Sequence, residues 1–181
     1  NRRVTAATVN GTTVTLTLES PLAVNLDSTS NIQIMWMSEK SVVYGNDLNG
    51  IRENAEREAY IGPAGVMLYN GTSDMVIENN EFNNIRRAIT IYSYTINSTP
   101  VSRVEPEMHL LVANNRIFGS RTGIDLYSYG GVTSTADVAS RQRSGTLGTV
   151  FRRNLVDNAI VSSFDVSYQR RNGNLPTGDL V

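Results

Sequence analysis

The chain contains no cysteine, which excludes a disulfide framework, a thiolate metal site and cysteine catalysis. Its single histidine, His109, excludes a multi-histidine zinc or iron centre. Lysine is nearly absent as well: of sixteen basic residues only Lys40 is not an arginine, so there is no polybasic membrane patch. Sixteen cations against seventeen acids leave a net charge of −1, which argues against a nucleic-acid partner held by phosphate contacts. Long apolar runs are missing too. The longest, such as Ile34-Met35-Trp36-Met37, fall far short of a bilayer, so no membrane insertion is expected. A helical stripe appears only over Ile51 to Tyr60, where Arg52, Glu53, Glu56, Arg57 and Glu58 read as the solvated face of a short helix.

What is plentiful is asparagine (19), valine (18), threonine (17) and serine (17) in 181 residues. Asparagine competes for backbone hydrogen bonds and disfavours helix interiors, whereas valine and threonine fit a pleated, half-buried surface. The mixture predicts an all-β protein with many tight turns, long enough for a sizeable core. The chain starts at Asn1 with no charged-then-apolar leader ahead of Arg2-Arg3, as expected of a processed chain or one cut from something longer. Sequons at Asn10-Gly11-Thr12, Asn70-Gly71-Thr72 and Asn97-Ser98-Thr99 point weakly to an extracellular, cell-surface or virion location.

The main signal is an internal repeat. Val76-Ile77-Glu78-Asn79-Asn80-Glu81-Phe82 lies over Leu111-Val112-Ala113-Asn114-Asn115-Arg116-Ile117 at an offset of 35 residues. Without a gap, Ala88-Ile89-Thr90-Ile91-Tyr92-Ser93-Tyr94 then lies over Gly123-Ile124-Asp125-Leu126-Tyr127-Ser128-Tyr129. Weaker copies are Val42 to Leu48 with Gly65 to Tyr69 upstream, and Val150 to Val156 with Phe164-Asp165-Val166 downstream. Such a unit cannot bury its apolar residues alone. Stacking is expected to set Val76, Ile77, Phe82, Ile89 and Ile91 under Leu111, Val112, Ile117, Ile124 and Leu126. It would also align Asn46, Asn80, Asn115 and Asn154 in an amide ladder at one corner.

On these residues the chain resembles the right-handed parallel β-helix proteins of the pectate-lyase-like superfamily, from about Ser38 to Val166. The resemblance implies an all-β, right-handed parallel β-helix of about four coils over residues 38–181. Residues 1–37 are expected to be an N-terminal β-hairpin element that caps the solenoid or is inserted into it. In that element Asn10-Gly11 signals a type I′ turn, Thr13 to Leu18 alternate as a strand, and Ile32 to Trp36 read as a further strand. Added lengths at Arg52 to Ala64, Thr95 to Glu107 and Gly130 to Gly148, the last with Arg141 and Arg143, leave the repeat. The latter two do so at equivalent positions, as neighbouring walls of a binding face or as tolerated loop drift.

Strand alternation sends Tyr69, Tyr92 and Tyr127 outward in one column, flanked by Thr90 and Asp125. Flat rings beside hydrogen-bonding groups suit sugars, so Tyr69, Tyr92, Tyr127 and Thr90 are candidate substrate-binding residues; structural packing explains a stacked column equally well. Asp125 is the candidate catalytic acid, among outward acids Glu78, Glu81 and Asp165 with Arg87, Arg116 and Arg121 near in register. The superfamily's enzymes act as calcium-assisted lyases or as glycosidases with aspartates on adjacent coils. Here there is no Asp-Asp pair and no Gly-His-Gly string, and His109 reads as a loop or strand-edge residue. The hairpin-then-helix layout is similar to that of β-helix α-1,3-galactosidases. No cofactor or metal is indicated, calcium included. The resemblance implies a protein that binds a poly- or oligosaccharide, with cleavage left open and a lyase or glycoside hydrolase as the class if it cleaves. The alternative is a non-catalytic β-helix, namely a phage tail spike, adhesin or surface-layer subunit, for which a homotrimer is expected.

Overall fold

The computed structural model describes residues 2–27, 37–52, 55, 64–69, 71–98, 101–131 and 146–171. The chain divides into two compact units, Asn1–Ile34 and Met35–Val181. In the first, β1 (Val4–Asn10) and β2 (Thr13–Leu18) pair antiparallel, with Asn10 opposite Thr13. The loop is therefore Gly11-Thr12, not Asn10-Gly11, and only Gly11 takes a positive φ (58°), the pattern of a type II′ rather than a type I′ turn. The expected strand at Ile32 to Trp36 lies outside the described residues, as does most of Ile51 to Tyr60.

The second unit is built from strands that recur in fixed order. The first set is β3 (Ser38–Glu39), β4 (Val42–Tyr44), β5 (Asp47–Asn49) and β6 (Ala64–Tyr69). The second is β7 (Thr72–Ser73), β8 (Val76–Glu78), β9 (Glu81–Asn83) and β10 (Arg87–Ser98), followed by a return strand β11 (Val101–Glu105). Next come β12 (Glu107–Met108), β13 (Leu111–Ala113), β14 (Arg116–Phe118) and β15 (Thr122–Gly131). The last set is β16 (Thr146–Leu147), β17 (Val150–Arg152), β18 (Leu155–Asp157) and β19 (Ser162–Arg171). Equivalent strands pair in parallel, giving the sheets β16-β12-β7-β3, β17-β13-β8-β4, β18-β14-β9-β5 and a long-strand sheet of β6, β10, β15 and β19. Val76 lies opposite Leu111 and Ile89 opposite Ile124, so the 35-residue offset of the sequence is the register of the stack. All-β, with stacked parallel strands, the architecture is consistent with a parallel β-helix.

A finer period holds each set together. Left-handed backbone recurs every five residues, at Asp74, Asn79 and Asn84, at His109, Asn114 and Gly119, and at Gly148, Arg153 and Asn158. Each of these ends a short strand and turns the chain through a corner. Eight of these nine residues fit, since asparagine, aspartate, histidine and glycine tolerate this conformation best, and Arg153 is the exception. After each corner one side chain points inward (Met75, Asn80, Ile85), and the middle of each strand supplies another (Ile77, Phe82). The core is therefore Ile77, Phe82, Ile89, Ile91, Val112, Ile117 and Ile124, all buried. Each contributes roughly 1.5–3 kcal/mol over an exposed position. Val76 and Leu111, expected inside, are only half-buried, because a three-residue strand turns only its middle side chain inward; Met75 and Leu110 are buried instead.

The asparagines form the expected ladder. The backbone N–H and Nδ2 of Asn46 donate to Asn80 Oδ1 at 3.0 and 2.9 Å, and those of Asn80 to Asn115 Oδ1, both at 3.0 Å. Asn115 continues it to Asn154 Oδ1 at 3.1 and 2.9 Å. The amides of Asn80, Asn115 and Asn154 also cap a carbonyl of the preceding set, as Asn115 Nδ2 does for Ile77 at 2.9 Å. With Asn80 and Asn115 fully buried, these bonds satisfy corner groups that water cannot reach.

Candidate functional site

The long-strand sheet carries the candidate residues. With Ile89 and Ile91 inside, β10 turns Thr90 and Tyr92 to the outer face, and β15 does the same with Asp125 and Tyr127. Parallel in-register pairing then builds two adjacent rows, Met67–Thr90–Asp125–Asp165 and Tyr69–Tyr92–Tyr127.

The tyrosine row is a ring stack. Tyr92 and Tyr127 lie 4.8 Å apart, centroid to centroid, and 17° from coplanar, while Tyr69 is 5.0 Å from Tyr92 and tilted by 38°. The spacing equals that of the strands, so the rings spend their faces on one another, with about 0.5–1.5 kcal/mol per pair beyond burial. A ligand on this side meets ring edges along the row, and the row ends in Tyr69, which is 45% exposed.

The neighbouring row is more enclosed than its outward direction suggests. Thr90 is fully buried and Asp125 is 3% exposed. Arg87 Nη1 meets Asp125 Oδ2 at 2.9 Å. The second carboxylate oxygen, Oδ1, is buried with no hydrogen-bond partner, and so is Thr90 Oγ1, its register neighbour. Burial raises the Asp125 carboxyl above the ordinary aspartate range; Arg87 draws it back down, and Asp165, half-buried on the next strand, pushes it up.

The other candidates lie elsewhere. Glu78 belongs to a different sheet and accepts a bond from Asn114 Nδ2 at 2.9 Å, and Glu81 lies opposite Arg116 on a third. His109 occupies a corner with φ 53°, exposed, its Nδ1 3.4 Å from Asp74 Oδ1. Of the added lengths, Thr95 to Glu107 continues β10 and returns as β11, pairing Tyr94 with Glu105 on the edge of β10 that β6 occupies further back. Residues 132–145, with Arg141 and Arg143, lie outside the described residues, as does most of Arg52 to Ala64. A cavity of about 400 Å³, lined by Leu48, Ile51, Gly65 and Ile85 among others, is separate from both rows. Among the described residues no three His, Asp or Glu side chains converge as metal ligands.

Two buried acids, Glu105 and Glu107, escaped the sequence reading. Glu107, fully buried, accepts bonds from the backbone N–H of Thr72 (2.8 Å) and Gly71 (3.3 Å) and from the Thr72 hydroxyl, tying β12 to the residues just after Tyr69. Burial pushes its carboxyl up to about 7, against the pull of the Thr72 and Gly71 bonds, with Glu105 adding to the rise. The signal was in the 35-residue offset, which sets Glu107 opposite Thr72.

No known protein family, curated protein or solved structure matches the chain.

Proposed function

We propose that this chain is a right-handed parallel β-helix of the pectate-lyase-like kind, acting outside the cell or on a cell or virion surface. Its long-strand face binds a poly- or oligosaccharide and cleaves it by glycoside hydrolysis. The observation that carries this reading is the pair Asp125 and Asp165, in register on adjacent strands beside the tyrosine row. Hydrolysis of a glycosidic bond needs two carboxyl groups in unlike environments, one holding a proton and one ionised. Asp125 is the buried member of the pair, its carboxyl raised by that burial, and Asp165 is the more open one. Neighbouring strands separate equivalent side chains by about 4.8 Å. That matches the roughly 5–5.5 Å of a retaining pair and not the wider gap that admits a water. The sugar lies along the edges of Tyr69, Tyr92 and Tyr127.

The test is a glycan array, followed on each bound glycan by reducing-end and unsaturated-product assays. Turnover is expected to fall by at least about a hundredfold in Asp125→Asn and in Asp165→Asn, as loss of acid–base catalysis does. Unchanged turnover in either variant refutes the assignment. The alternative, a rigid structural or host-recognition β-helix, is favoured by a specific observation, that the tyrosine faces are used on each other. A stable trimer in light scattering, with no glycan bound or cut, would select it.

A further inference from the structure

We propose that Asn10 is a self-modifying site: the backbone nitrogen of Gly11 closes on the Asn10 side-chain amide, and the tip of the hairpin becomes a succinimide and then aspartate or isoaspartate. The chemistry needs only water and owes nothing to the carbohydrate reading. Asn-Gly occurs four times, beginning at Asn10, Asn49, Asn70 and Asn172, and glycine is the residue that least obstructs attack on the preceding side chain. In a folded chain the reaction also needs a free attacking N–H, a free amide and a peptide able to turn. At Asn49 all three are denied. Gly50 N–H donates to the Asn83 carbonyl at 2.7 Å, Asn49 Nδ2 donates to Asp47 Oδ1 at 2.8 Å, and a Cβ at Gly50 would lie 2.4 Å from the Asn84 carbonyl oxygen. In the third pair the attacking Gly71 is buried and its N–H donates to Glu107 Oε1 at 3.3 Å. Asn172-Gly173 lies outside the described residues. Asn10 is the open case. It is exposed, ends β1 and directly precedes the Gly11-Thr12 loop. Among the described residues neither its side-chain amide nor Gly11 N–H makes a hydrogen bond, and a Cβ at Gly11 would meet nothing within 4 Å.

Ring closure turns the Asn10–Gly11 peptide out of its strand geometry. That opens only the tip pair Asn10–Thr13, and loop tips open at the least cost. Gly11 N gives up its proton and bonds to Asn10 Cγ. The Cγ–Nδ2 bond breaks, and ammonia leaves with its electron pair and the proton. Water then opens either carbonyl of the ring, giving aspartate, or isoaspartate with an extra methylene in the main chain. Either product adds one negative charge to a chain of net charge −1. The isoaspartyl form also lengthens the backbone between Val9 and Gly11, which moves position 10 out of register with Thr13. A two-stranded sheet is marginal to begin with, so Asn10 acts as a slow, irreversible timer on the hairpin.

The experiment is peptide mapping of the folded full chain during storage at mildly alkaline pH in water enriched in oxygen-18. The chain is made in a bacterial host, so that the Asn10-Gly11-Thr12 sequon carries no glycan. Trypsin places Asn10, Asn49 and Asn70 on separate peptides, and each conversion reads as loss of ammonia with gain of one heavy oxygen. Asn10 is expected to convert about tenfold or more faster than Asn49 and Asn70, since a hydrogen bond on the attacking nitrogen and closed packing around it each slow the reaction. Its product should contain isoaspartate as well as aspartate. In urea the three rates should converge. Gly11→Ala should slow Asn10 and leave Asn49 unchanged; the comparison within the parent chain needs no variant and decides the matter if that change loosens the hairpin. Conversion of Asn10 no faster than that of Asn49 overturns the proposal. The same ranking in urea also overturns it, by assigning the difference to neighbouring sequence rather than to the fold. Aspartate with no isoaspartate overturns it too, because direct hydrolysis gives that product alone.

Discussion

Glu107 makes the stability of this fold depend on pH in a direction opposite to that of most carboxylates. Its side chain is buried against Gly71 and Thr72, and its carboxyl is pushed up to about 7 from 4.5. Between those two values the folded protein holds a proton that the unfolded chain has released. Folding therefore takes up a proton there, and protonation drives the equilibrium toward the native state. The contribution is complete below pH 4.5 and is lost as pH rises through about 7. The rise is worth on the order of 3 kcal/mol. Glu107→Gln removes the titration and keeps the shape. Its amide oxygen can take the bonds from the Thr72 N–H and hydroxyl, while its NH₂ faces only the longer Gly71 contact at 3.3 Å, a small penalty that does not vary with pH. Urea unfolding of both proteins at pH 5, 6, 7 and 8 isolates the effect, because every other group cancels in the difference. The variant should gain on the parent by about 2.5 kcal/mol in going from pH 5 to pH 8. A difference that stays flat across that range refutes the reasoning.

Three further perturbations test the stack itself by denaturant unfolding. Asn115→Ala removes two donated and two accepted bonds at a fully buried corner and should cost about 3 kcal/mol or more, whereas Asn46→Ala at the exposed end of the ladder should cost under about 1 kcal/mol. Equal losses at the two sites would contradict the burial argument. Gly123→Ala puts a Cβ 2.5 Å from the Ser163 carbonyl and 2.6 Å from Val156 Cγ1, so a loss of about 1–3 kcal/mol is expected despite the natural alanine at the equivalent Ala88. Arg153→Asn relieves an arginine held at φ 52° in a column that carries Asn79 and Asn114; a gain of about 0.5 kcal/mol should appear as a higher midpoint with an unchanged slope.

The stacking was legible because it repeats. Two ungapped half-units at one offset fixed which strand pairs with which, and the asparagine ladder followed from one aligned letter. The five-residue step was equally present, in Asp74-x₄-Asn79-x₄-Asn84 and His109-x₄-Asn114-x₄-Gly119, but it hid behind the longer period. Missing it sent Val76 inward in place of Met75. It also left His109 as a nondescript loop residue, when it is one of a column of left-handed corners. The candidate site was legible in direction and not in depth. Alternation set Thr90 and Asp125 on the face opposite Ile89 and Ile124, but both are buried, and a period-two rule does not contain depth. Ring orientation is likewise a side-chain torsion, and the pattern that aligned three tyrosines said nothing of where their faces turn.

A parallel stack sets each side chain against its own successor, and residue types respond differently. Asparagine gains a bond, tyrosine gains a ring contact, and an apolar residue gains burial; a carboxylate gains only repulsion. The cost depends on depth. Asp47 and Glu81 are also in register, but both are exposed and water screens them. Asp125 and Asp165 have no such relief, since one of them is buried and its carboxyl is raised in consequence. Threonine and methionine fill the equivalent positions at Thr90 and Met67, so the row has no general need of an acid. Removing the like-charge contact should therefore stabilise the protein at neutral pH. Asp165→Asn is the cleaner choice, because it leaves the Arg87–Asp125 ion pair whole. A gain in unfolding free energy at pH 7 that shrinks toward pH 4, combined with lost glycan turnover, is what a site held against its own stability predicts. Lower stability at pH 7 in that variant would show that the second acid is structural.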